Sequence, residues 1–99
     1  MNSEEIEKFL DTKQIPKEKY VKIDFKKRDS IYGIFVKSND YADLKSKNFW
    51  RIVTWSHFDE WYKSKNINVA KIFNGSEFSR LTVVQHSRPA NRLFVQLYF

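Results

Sequence analysis

The stretch 56-SHFDE-60 brings a hydroxyl, an imidazole and two carboxylates into five consecutive residues. Ser56, His57 and Asp59 are the residue types of a nucleophilic triad. That chemistry needs groups converging in space, which sequence neighbours do not supply by adjacency. His57 with Asp59 and Glu60 could equally ligate a metal, but a metal site needs convergent ligands that are themselves oriented by hydrogen bonds. The chain has only two histidines, His57 and His86, and no cysteine. Its two glycines, Gly33 and Gly75, leave no glycine-rich loop to cradle a phosphate. The sequence therefore predicts a protein that is not an enzyme, with structural histidines, no metal and no cofactor.

Contact chemistry is better represented. Trp50, Trp55 and Trp61 fall within twelve residues, among Phe49, Arg51, Phe58 and Tyr62. Trp and Arg are favoured at contact hot spots, so this region is a candidate protein-interaction surface. The competing reading is packing in the core or under an insertion. Lys and Arg outnumber Asp and Glu by 18 to 12, a formal charge of +6. A basic domain of this kind attracts polyanions. Lys22, Lys26, Lys27 and Arg28 are candidates for contacting a phosphate backbone. As lysines alternating with apolar residues they also fit an ordinary solvated strand that protects an edge.

These residues need elements to position them. Aromatic side chains make up 17% of the 99 residues, which favours strands in one small domain. Asn2 with Glu5 fits a capping box, and Ile6, Phe9 and Leu10 follow at helical spacing, predicting a helix over residues 3–10. Val21, Ile23 and Phe25 alternate with Lys22, Asp24 and Lys26, predicting a strand with one buried face. Residues 31–36 form a second strand, where Gly33 marks a sharp bend or close approach. The polar segment 38–48 reads as a loop, 49–54 as a third strand, and 55–66 as either a helical turn or a wide hairpin connection. Strands over 68–73 and 78–84 flank an Asn74-Gly75 turn. The expected architecture is mainly β: an N-terminal helix and a small, strongly bent five-stranded antiparallel barrel over residues 1–84, a pattern that SH3-like and OB-type barrels also fit. Residues 85–99 form a tail that could add a strand. The acidic N-terminus does not read as a secretory signal, and no run approaches membrane-helix length, so the expected compartment is the cytoplasm with no membrane partner.

The stretch 21-VKIDFKKRDSIYGIFVKSNDYADL-44 resembles the first motif of the Sm/Lsm family. Gly33 takes the glycine position, Phe35 the apolar position two beyond it, Asn39 the usual Asp position, and Asp43-Leu44 the usual Asn-Leu pair. The stretch 72-IFNGSEFSRL-81 is similar to the second motif through Gly75, Phe78 and Leu81, with Asn74 where the family carries arginine. This resemblance implies a non-enzymatic RNA-binding protein that contacts short single-stranded RNA through loops 38–44 and 74–75. The implied RNA-binding residues are Asn39, Tyr41, Asp43, Asn74 and Gly75. Tyr41 would either stack on a base or pack against a neighbouring strand. The family also implies a homo-oligomeric ring, in which strand four of one subunit joins strand five of the next. Exchange of the acidic and amide residues at Asn39 and Asp43, and loss of a cation at Asn74, change the chemistry of the implied nucleotide pocket more than they change the fold.

Overall fold

A computed structural model describes residues 1–13 and 20–84. The tail 85–99, with its expected additional strand, lies outside the described residues, as do Lys17 and Lys19. The first helix, α1 (Ser3–Lys13), starts as the sequence predicts and runs one turn further. Its capping box closes in both directions: Glu5 N–H donates to Asn2 Oδ1 at 2.8 Å, and Asn2 N–H donates to Glu5 Oε1 at 2.9 Å. Ile6 on its apolar face is completely buried.

Five strands follow: β1 (Tyr20–Phe25), β2 (Ile31–Phe35), β3 (Phe49–Thr54), β4 (Lys71–Asn74) and β5 (Phe78–Val84). They form one antiparallel sheet in the order β4-β3-β2-β1-β5. Two short helices lie between strands, α2 (Tyr41–Ser46) and α3 (Phe58–Ser64). Segment 38–48 is thus not the plain loop expected. Within α2, Tyr41, Leu44 and Lys45 are the partly covered positions, at the i, i+3, i+4 spacing of a helix laid on a surface. The 55–66 connection resolves as a 3₁₀ turn, Trp55–His57, leading into α3.

The two edge strands are joined by a single 3₁₀ turn, Gly75–Glu77. A flat five-stranded sheet would hold its edges about 19 Å apart, whereas a 3₁₀ turn advances only ~2 Å per residue. The sheet must therefore curl, and side chains meet across it. The Phe25 ring on β1 lies 6.1 Å from Phe73 on β4, and the Phe35 ring on β2 lies 6.5 Å from Phe78 on β5. Gly33 permits the bend: a Cβ there would collide with Ile52 Cγ2 and come 3.1 Å from Val53 O. Curling stops short of closure. Among the described residues β4 and β5 share no ladder, so the sheet is open. Residues Ile67–Val69 coil into a 3₁₀ turn, which shortens the expected fourth strand to four residues and leaves too little strand to pair along β5.

Both faces of the sheet carry buried residues. Val21, Ile23, Phe25, Trp50, Ile52, Phe78 and Leu81 pack with Ile6 on the inner face. Tyr20, Val36, Val53, Phe58, Val69 and Ala70 pack on the outer face. Successive residues Ile52 and Val53 are each fully buried, one on either side, which makes β3 the spine of the domain. No helix among the described residues is long and apolar enough to cross a membrane.

Candidate nucleic-acid interface

The five residues implied to bind RNA divide into two groups. Asn39, Asp43 and Asn74 are exposed, Tyr41 is partly buried, and Gly75 is buried. Tyr41 opens α2 and turns its ring onto Trp50, with centroids 6.0 Å apart in an edge-to-face arrangement. The ammonium groups of Lys37 and Lys45 lie 4.9 and 5.7 Å from the Tyr41 centroid. Burial raises the Tyr41 hydroxyl pKa, and the negative charge of Glu7 adds to the effect. Tyr41 thus packs on Trp50.

Gly75 meets the same tryptophan from another direction. Its φ is not positive, so it is not there for backbone freedom. A Cβ would strike Asn48 Oδ1, approach Ile6 Cδ1 to 2.5 Å and Trp50 Nε1 to 2.8 Å. Glycine is needed for space. Asn48, which the sequence reading did not single out, organises this junction from a left-handed conformation (φ 63°) that Asn tolerates. Its Oδ1 accepts from Trp50 Nε1 at 2.8 Å, its Nδ2 donates to Met1 O at 2.9 Å, and its O accepts from Gly75 N–H at 2.8 Å. The signal available in the sequence was an asparagine between a polar run and a strand, where a helix commonly ends in the left-handed region.

Asn74 caps the 3₁₀ turn. Its Oδ1 accepts from Ser76 N–H at 3.0 Å and from Ser76 Oγ at 2.8 Å. Asp43 pairs with Lys47 at 3.5 Å. Asp40 beside them is paired with Arg51. Arg51 donates to it from Nη2 at 2.7 Å and from Nε at 3.2 Å, and Ser38 Oγ donates as well. These hydrogen bonds, first Arg51 and then Ser38, hold the Asp40 carboxyl down to about 2.

The three tryptophans do not form one surface, which corrects that expectation. Alternation along β3 sends Trp50 into the inner core at 2% exposure, while Trp61 packs partly into the outer cluster. Trp55 is the exposed one, at 47%. Its neighbours are Tyr20 (5.8 Å), Phe58 (5.9 Å) and Tyr32 (6.2 Å), measured between ring centroids. The basic residues are spread likewise. Lys22 lies on the outer face of β1, opposite Tyr32 on one side and Thr82 on the other. Lys26, Lys27 and Arg28 are exposed in the β1–β2 turn, where the Arg28 guanidinium sits 4.8 Å from the Phe25 ring centroid.

In the 56-SHFDE-60 stretch, His57 Nδ1 lies 3.1 Å from Ser56 Oγ and 3.3 Å from Thr54 Oγ1. Among the described residues no three His, Asp or Glu side chains group closely enough to hold a metal ion. No family model, no curated protein and no solved structure matches this chain.

Proposed function

We propose that the protein is a non-enzymatic RNA-binding domain of Sm-like type, built as a small, nearly closed barrel. The observation that carries this reading is the strand order: β4 and β5 are the two open edges, and the segment joining them is the Asn74-Gly75 turn. The motif resemblance calls for that arrangement, in which the two edges would join neighbouring subunits. The charge of +6 supports a polyanionic partner. Asn39 and Asn74 are the exposed amides that would meet a base edge; neither brings a cation, so phosphate contact falls to the lysines and arginines.

Two measurements test it. Fluorescence anisotropy with short U-rich and A-rich RNA at low salt should show binding that weakens steeply as salt rises. Light scattering should give a mass six or seven times the 12.0 kDa of one chain. A monomer that binds neither RNA rejects the reading. The second reading is a protein-interaction module centred on Trp55 and Trp61, favoured by the exposure of Trp55. It predicts a partner in pull-downs that Trp55→Ala or Trp61→Ala removes while RNA binding is unchanged.

A further inference from the structure

Three large hydrophobic residues are exposed among those described: Tyr32 at 39%, Trp55 at 47% and Ile72 at 49%. Tyr32 and Trp55 belong together. Their centroids are 6.2 Å apart, and each stands edge-to-face with Tyr20, which is only 5% exposed and lies between the rings and the outer core. Phe58, the buried start of α3, supports Trp55 from a second side. The two rings are therefore held in place from behind and wet in front. α3 covers the part of the outer face around Val36 and Val53 but leaves Tyr32 and Trp55 open.

What borders these rings is cationic. Lys22 is the direct cross-strand neighbour of Tyr32, so its side chain rises from the same face about 5 Å away at Cβ. In the next row Arg80 faces Asp24. Lys22 Nζ and Arg80 Nε lie 3.9 and 3.5 Å from the two oxygens of Asp24, so two cations share one carboxylate and a net positive charge remains. Asp24 also accepts from Ser30 Oγ, which fixes the carboxylate and hence the positions of both cations. Lys26, Lys27 and Arg28 continue the charge into the β1–β2 turn, against Asp29. A partner that fits preset aromatic rings rimmed by cations is an anionic chain with flat rings of its own.

We propose that Trp55 and Tyr32, flanked by Lys22 and Arg80, form a stacking platform for single-stranded nucleic acid on the outer face of the sheet. Bases stack on the two rings and the backbone runs over the cations. The proposal rests on the RNA-binding reading above and moves its base contact away from residues 38–44 and 74–75. Stacking on aromatic side chains tolerates any base, so the platform selects for unpaired strands rather than for a sequence.

The test uses the full chain and a short fluorescein-labelled oligouridylate at low salt, read by anisotropy, with melting curves to verify folding. Trp55→Ala should weaken binding by roughly tenfold or more, and Trp55→Phe, which keeps a ring, should restore most of it. Lys22→Gln removes a surface charge without touching the rings, and should lower the slope of log affinity against log salt by about one. If the wild type binds and folded Trp55→Ala, Tyr32→Ala and Lys22→Gln bind equally well, the platform is overturned. The RNA-binding reading then stands, with the contact returned to Asn39 and Asn74. If the wild type binds no single strand at low salt, both fall.

Discussion

Gly75 shows how one residue can be conspicuous in a sequence for a reason the sequence does not disclose. In a chain with two glycines, an Asn-Gly pair before a strand marks a turn, and a turn is there. The demand for glycine comes from elsewhere, from Asn48, Ile6 and Trp50 crowding the place a side chain would take. Those neighbours have nowhere to go, since Ile6 and Trp50 are essentially buried and Asn48 is tied by four hydrogen bonds. Gly75→Ala should therefore cost about 1–3 kcal/mol in urea unfolding, an overpacking penalty, while leaving the turn hydrogen bonds of Asn74 in place. Asp40 yields a second prediction. Its carboxyl is held at about 2 when folded, below the ordinary ~3.9 of an unfolded chain. A depressed folded pKa contributes stability above the unfolded value and loses it as pH falls through the folded one. Asp40→Asn should thus be less stable than wild type near neutral pH, and the gap should narrow between about pH 4 and about pH 2. Melting temperatures of the pair across that range check it.

At the level of elements, the strands were legible where alternation was clean. The third and fifth strands have the bounds that their apolar patterns set, 49–54 and 78–84. α2 was not legible, because six residues with two partly covered apolar positions, Tyr41 and Leu44, make too short a period to separate from an Asn- and Asp-rich loop. β3 differs from a one-sided strand in having consecutive residues buried on opposite faces. Ile52→Ala and Val53→Ala should each cost on the order of 2–4 kcal/mol in chemical denaturation, although they touch different clusters. Ile72→Ala on β4, half exposed, should cost well under that. Comparable losses at Ile72 would mean that its edge is covered by a partner. The tryptophans misled for a related reason. Their closeness along the chain suggested one surface, but strand parity and the start of α3 send them to three different environments. The pairing of Trp55 with Tyr32 depends on residues more than twenty positions apart and had no local signature.

For the whole molecule, the curl of the sheet and the position of its open edges follow from pairings no local pattern encodes. β1 lies between β2, which follows it closely, and β5, whose Val84 sits opposite Tyr20. The described strands give the expected count in one antiparallel sheet, which is open, and how far it closes depends on how many residues β4 retains. A chain ending at Glu77 should remain unfolded by circular dichroism, because it lacks Phe78 and Leu81 from the inner core and the ladder along β1. The junction at Asn48 also bears on time. Gly75 and Phe78 accept from the amino group of Met1 at 3.1 and 2.7 Å, so the segment before α1 is fastened to the start of β5, far along the chain. During synthesis, the face of α1 that carries Ile6 and the free side of β1 wait uncovered until residue 84 has left the ribosome. High contact order of this kind slows folding to roughly milliseconds or longer. The exposed interval is when the nascent chain is most open to mispairing with another copy of itself.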